Sequence, residues 1–140
     1  MDDPQSFLLF PLGKETFGLP ALLVRAVLDK DTLVPVPLAP PFVLGAANVH
    51  GRVVCVVDVA ALLTLAKAEE QPYWLVVDLP DGQLALAVSE VRQSPPGASI
   101  EKGEGGTSLP AVEYGAHMDG EFFRVLSLRA MYDYMMSRMG

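Results

Sequence analysis

The chain holds one cysteine, Cys55, two histidines, His50 and His117, one tryptophan, and 10 Lys and Arg against 17 Asp and Glu in 140 residues. A lone thiol closes no internal disulfide. Two histidines and one cysteine without close spacing such as Cys-x-x-Cys form no metal-ligand set, so neither a metal nor a cofactor is expected. The formal net charge of −7 creates a field that repels phosphate backbones and argues against nucleic acid as a partner. Binding single strands on a small barrel would need a basic patch with stacking aromatics. The longest apolar run, from Val53 to Ala66, is interrupted by Asp58 and falls short of the roughly 18 residues of a membrane-spanning helix. No basic stretch followed by an apolar segment and a small-residue cleavage site opens the sequence. The expected setting is reducing and cytoplasmic, without direct membrane insertion.

Hydrophobic residues make up 51% of the chain, enough for a core at this length, where folding buries roughly 68% of the unfolded surface. They come in short runs rich in Val, Leu and Phe, separated by glycine-containing turns, the pattern of strands joined by hairpins. Phe7 to Leu12 and Glu15 to Leu19 flank Gly13-Lys14. Ala46 to Val49 and Val53 to Val57 flank His50-Gly51-Arg52. Trp74 to Leu79 and Leu84 to Val88 flank Asp81-Gly82, and Glu121 to Leu126 follows Asp119-Gly120. A proline-dense segment, Val34-Pro35-Val36-Pro37-Leu38-Ala39-Pro40-Pro41, excludes helix and central strand and reads as an ordered connector. Asp58 should cap a short helix over Val59 to Leu65. Residues 66–72 read as a linker and 94–106 as a loose region. Leu128, Met131, Met135 and Met139 fall at helical spacing and predict a terminal amphipathic helix.

Each candidate for chemistry has a plainer structural explanation. Cys55 and His50 invite a nucleophile pair, and a small β-barrel enzyme built on them is one alternative. However, strand alternation places Val53, Cys55 and Val57 on one face, where a free cysteine acts as a small hydrophobe. Asp58 fits a helix cap better than a general base. Glu69-Glu70 suits a solvated linker. Gly103-Glu104-Gly105-Gly106 lacks the Gly-Lys-Ser or Gly-Lys-Thr of a phosphate loop. The methionine stripe suits packing of a helix onto a barrel, and Trp74 suits core or rim. With no catalytic residues assigned, the residues point to a binding module rather than an enzyme.

The run Gly45-Ala46-Ala47-Asn48-Val49-His50-Gly51-Arg52-Val53-Val54-Cys55-Val56-Val57-Asp58-Val59 resembles the signature of CheW-like chemotaxis coupling domains, Gly-x-x-Asn-Leu-Arg-Gly-x-x-x-Pro-x-x-Asp-Leu. Val24-Arg25-Ala26-Val27 resembles the family's Val-x-Glu-Val segment, Val34 to Pro41 its proline connector, and Leu84 to Val91 its Gly-Leu-x-Val-Asp-x-Val strand. The resemblance extends from about Ser6 to Met135. It implies an all-β fold with short helices: two packed five-stranded SH3-like β-barrels and a C-terminal helix. The expected organisation is one CheW-like domain over 1–140, with one subdomain over 15–70 and an intertwined partner barrel formed by 6–14 and 71–140.

The resemblance further implies a non-catalytic adaptor that couples the cytoplasmic tips of chemoreceptors to the regulatory domain of a CheA-type histidine kinase. The receptor side then comprises Val24, Ala26, Val27, Asn48, Val49, His50 and Gly51, with Gly45 and Gly51 shaping the turn and Val49, His50 and Arg52 presented outward. The kinase side has no short motif. Four positions depart from the family pattern: Ala26 replaces Glu, His50 replaces Arg, Cys55 replaces Pro and Ser89 replaces Asp. Loss of the guanidinium fork and its opposite charge alters pairing geometry, which motivates an alternative array, such as one serving type IV pili or gliding motility.

Overall fold

A computed structural model describes residues 6–63, 70–80, 82–94, 101–103 and 111–139. The first strands are β1 (Phe7–Leu12), β2 (Glu15–Pro20), β3 (Val24–Asp29), β4 (Val43–Val49) and β5 (Arg52–Asp58), followed by helix α1 (Val59–Leu62). Then come β6 (Tyr73–Leu79), β7 (Gly82–Val88), β8 (Arg92–Gln93), β9 (Glu101–Gly103), β10 (Val112–Met118), β11 (Glu121–Leu126) and helix α2 (Leu128–Arg138). All four hairpins expected from the turn residues are present as antiparallel pairs: β1 with β2, β4 with β5, β6 with β7, and β10 with β11.

The strands form two sheets, in the orders β8-β1-β2-β11-β10-β9 and β3-β6-β7-β5-β4. The mostly β, two-sheet architecture with a C-terminal helix is as expected, but the first sheet has six strands because the short β8 and β9 pair with β1 and β10. The strand pairing also divides the chain differently from the expected ranges of 15–70 against 6–14 and 71–140. The Gly13-Lys14 turn keeps β2 with β1, whereas β6 and β7 join β3, β4 and β5. A boundary between residues 14 and 15 would cut a tight hairpin, whose two strands share their hydrogen bonds. Parallel contacts, β2 with β11 and β5 with β7, carry each sheet across the return of the chain.

Alternation along the strands builds three cores. In β1, Phe7 and Leu9 join Phe123 and Val125 in a cluster within the six-stranded sheet, while Phe10 and Leu12 face the other way into the largest core. Phe7 and Phe123 meet edge to face with ring centroids 5.2 Å apart. The largest core lies between the sheets and takes Leu75, Val77, Leu84 and Leu86 from the five-stranded sheet, together with residues of both helices. A third cluster holds Ala47, Val49, Val54, Val56, Trp74 and Val76. Ala26 and Leu28 of β3 pack on this same cluster, although β3 and β4 are opposite edges in the pairing order. The five-stranded sheet therefore curls until its edges approach. An antiparallel bridge from Val34 to Ala46 brings the proline connector against β4.

The Asp58 side chain is buried, and its Oδ1 accepts the Ala61 N–H at 3.1 Å, the expected cap, and the Gln71 Nε2 donor at 2.7 Å. The helix it starts ends at Leu62 instead of Leu65; residues 64 and 65 lie outside the described residues, as do most of the expected linker and loose region, Asp81, Glu69 and Glu104 to Gly106. In α2, Ser127 caps by accepting the Ala130 N–H at 3.1 Å, and Met131 and Met135 are buried. Met139 lies beyond the last helical turn and is 44% exposed, so the buried stripe stops at Met135.

Candidate functional site

The signature hairpin has an inner and an outer part, set by its register. β4 and β5 pair from Ala46–Cys55 through Val49–Arg52, leaving His50 and Gly51 as a two-residue loop. Both have positive φ, 50° at His50 and 84° at Gly51, the backbone of a type I′ turn whose twist matches the flanking strands. Histidine enters this left-handed region more readily than branched residues, and glycine enters it without steric cost. Asn48 Oδ1 accepts the Gly51 N–H at 2.9 Å, closing the turn from the side. Asn48, His50, Gly51 and Arg52 are all exposed.

Val49 departs from its expected place. It is only 4% exposed and belongs to the inner cluster with Ala47, because alternation turns it inward while Asn48 faces out. Gly45 departs as well: it lies at a bulge early in β4, remote from the turn it was expected to shape. A Cβ there would fall 2.8 Å from the Val34 carbonyl oxygen and 3.2 Å from Leu33 Cβ. Glycine at position 45 thus lets the connector lie against the sheet, and the turn geometry belongs to His50 and Gly51.

The β3 candidates are split in the same way. Val27 is 44% exposed, Val24 packs on the edge of the largest core, and Ala26 is half-buried against the inner cluster. Their placement relative to the hairpin follows from strand direction. Val24 pairs with Val77 near the end of β6, and β5 runs parallel to β7. The β4–β5 turn and the β6–β7 turn therefore share one end of the five-stranded sheet, and β3 runs away from it, with Val24 level with Cys55 and Val27 level with Val57. At that end Arg25 Nε meets Asp78 Oδ2 at 2.8 Å, and Gln83 donates to Asp78 Oδ1 at 3.1 Å.

Beside this end a groove of about 640 Å³ opens, lined by Leu23, Leu79, Leu126 and Leu128 together with Asp78 and Glu113. The neighbouring Leu22 is 96% exposed. Sequence reasoning missed this groove because its walls come from four distant segments, and an apolar Leu22-Leu23 pair reads as core until the fold places it.

Cys55 is half-buried against the largest core, and burial raises its thiol pKa, opposite to the depression that makes a thiolate nucleophile. His50 sits in the turn, whereas Cys55 pairs with Ala46, three positions along the strand. No group of three or more His, Cys, Asp or Glu poised to hold a metal occurs among the described residues. No helix among them is long and apolar enough to cross a membrane. Trp74 is core, 2% exposed.

The solved scaffolding protein TtCheW from Thermoanaerobacter tengcongensis is similar to this chain with a TM-score of 0.82 at 23% identity, over 93% of each chain, a likeness of fold. The chemotaxis protein CheW of Klebsiella aerogenes is 26% identical over 84 residues, 60% of this chain and 51% of that protein, so the chain spans about half the length of this curated relative. The family model described as the CheW-like domain matches residues 6–134, a range that takes in both sheets, the signature hairpin and most of α2. On that match, this chain belongs to the CheW-like domain family.

Proposed function

We propose that the chain is a non-catalytic cytoplasmic adaptor of chemosensory signalling, which joins the cytoplasmic tips of chemoreceptors to the regulatory domain of a CheA-type histidine kinase. The observation that carries this reading is the family match over residues 6–134, together with a signature hairpin that exposes Asn48, His50 and Gly51. In this reading those three residues, with Val24, Ala26 and Val27 of β3, form the receptor side. Val49 supports the turn from within. The work of such an adaptor is thermodynamic: a receptor state biases kinase activity through a coupling free energy, typically about 1–3 kcal/mol. Holding both partners on one body also raises their effective concentration.

Calorimetric titration with a receptor-tip fragment and, separately, with the regulatory domain of the kinase from the same genome tests the reading. Binding to both is the expected result; binding to neither would remove the functional assignment and leave the fold. A second reading, an adaptor of a divergent array serving type IV pili or gliding motility, is favoured by Ala26 and His50. Ala26 is turned toward the inner cluster, and the Arg25–Asp78 pair supplies charge near the β6–β7 turn. In that case His50→Arg should strengthen binding to a conventional receptor tip, and an unchanged affinity would count against it. A Cys55–His50 enzyme is disfavoured by the raised thiol pKa.

A further inference from the structure

The molecule builds the same turn twice and equips only one copy. In the hairpin of β10 and β11, Met118 pairs with Glu121 around Asp119 and Gly120, as Val49 pairs with Arg52 around His50 and Gly51. The backbone angles match: φ is 51° and 80° across Asp119 and Gly120, and 50° and 84° across His50 and Gly51. One pair further in, His117 faces Phe122 where Asn48 faces Val53. Two different side chains thus occupy the same place beside one backbone frame.

Those two side chains treat their turns differently. Asn48 Oδ1 accepts the Gly51 N–H at 2.9 Å. The His117 ring instead meets Phe122 edge to face, with centroids 5.0 Å apart, and the Gly120 N–H has no acceptor among the described residues. The Asp119–Gly120 turn therefore shows that this backbone forms without a side-chain acceptor, so the Asn48 bond is not what folds the hairpin. The bond is also exposed, and in water Gly51 would exchange it for a solvent molecule at almost equal free energy. Its value emerges where water is withdrawn, because a backbone donor buried without an acceptor carries its full desolvation cost.

We propose that Asn48 is a positioning residue of the receptor side: by holding the Gly51 N–H, it lets the His50–Gly51 turn be buried without water against a receptor-tip face that offers Gly51 no acceptor. This deepens the adaptor reading and rests on it. Asn48 acts through Oδ1 and Gly51, not by giving its own amide protons to the partner. Gly51 itself leaves the approach open, since nothing lies within 4 Å of where a Cβ would stand, and a partner can close on its backbone. The Asp119–Gly120 turn, with its N–H left to solvent, stays wet, so of the two matched turns only the first belongs to this contact.

The test uses the full chain, a receptor-tip fragment, and the variants Asn48→Ala, Asn48→Asp and His117→Ala. Thermal melting should place Asn48→Ala within about 2 °C of the wild type, because water replaces the lost acceptor. Calorimetric affinity for the receptor tip should nonetheless fall about tenfold in this variant. Asn48→Asp keeps an acceptor of the same reach and loses the amide protons; at high salt, where the added charge is screened, it should bind within about threefold of the wild type. His117→Ala should leave the affinity unchanged. Equal losses in Asn48→Asp and Asn48→Ala would make Asn48 a direct contact and overturn the positioning role. Wild-type affinity in Asn48→Ala would overturn it as well and leave the adaptor reading standing. A large drop in the Asn48→Ala melting midpoint would make the bond a folding element, and an equal loss of affinity in His117→Ala would remove the distinction between the turns; either overturns the proposal. A wild-type chain that fails to bind the receptor tip would overturn the adaptor reading and this role together.

Discussion

Gly45 and Gly51 are indistinguishable as letters of one motif, yet the structure gives them opposite surroundings. Gly45 is buried, with φ 153° and the Val34 carbonyl 2.8 Å from where a Cβ would sit. Gly51 is exposed, with φ 84° and open space around it. The first half of the signature therefore builds the sheet and seats the connector, and the turn presents polar groups to solvent. One motif can thus combine folding and solvent-facing residues at adjacent positions, and only register tells them apart.

Substitution should separate the two halves sharply. Gly45→Ala should destabilise the fold by about 3 kcal/mol, combining a backbone clash with an unfavourable φ, and lower the melting midpoint by roughly 10 °C. A midpoint within about 2 °C of the wild type would mean that the connector can lift away from β4 at little cost. Asp58→Ala removes a buried cap and leaves Gln71 without its acceptor, so denaturant unfolding should show a loss of about 2 kcal/mol. Gly51→Ala meets no neighbouring atom and should lose only about 1 kcal/mol, from the left-handed backbone alone. If Gly51→Ala proves as damaging as Gly45→Ala, the distinction between the two halves fails.

Cys55 lies between these extremes, half-buried on the outer side of the same hairpin. Burial raises its thiol pKa, so the unfolded chain ionises first as pH rises. The resulting contribution to stability is fully present while the thiol is neutral in both states, and it is lost as pH climbs through the alkaline thiol range. Cys55→Ala should therefore flatten the alkaline limb of the stability profile slightly. In the folded protein, alkylation at pH 8 should be slow and accelerate once denaturant is added; rapid labelling without denaturant would contradict the burial.

Much of this arrangement was legible in the residues, for identifiable reasons. Gly13, Gly51, Gly82 and Gly120 announce hairpins because their positive φ is a backbone that few other residues tolerate. Asp58 announces a helix start because its carboxylate can take a free N–H. Strands β8 and β9 gave no signal, since two or three residues carry no alternation of their own and exist through β1 and β10. The grouping of β2 with β11 and of β5 with β7 rests on parallel contacts between distant segments, which local pattern does not encode. The inward turn of Val49 followed from alternation but was masked by reading the motif as one exposed unit. Leu38 was invisible for a different reason: apolarity suggests burial, whereas in the proline connector its side chain is fully exposed, at a φ of 61°.

The central claim is that one small body holds two partners at once. Sedimentation velocity on an equimolar mixture of this chain, the receptor-tip fragment and the kinase regulatory domain tests it most directly. The account predicts a ternary species heavier than either binary complex, lost when this chain is omitted. Mutual displacement, with only binary complexes at every ratio, would contradict it.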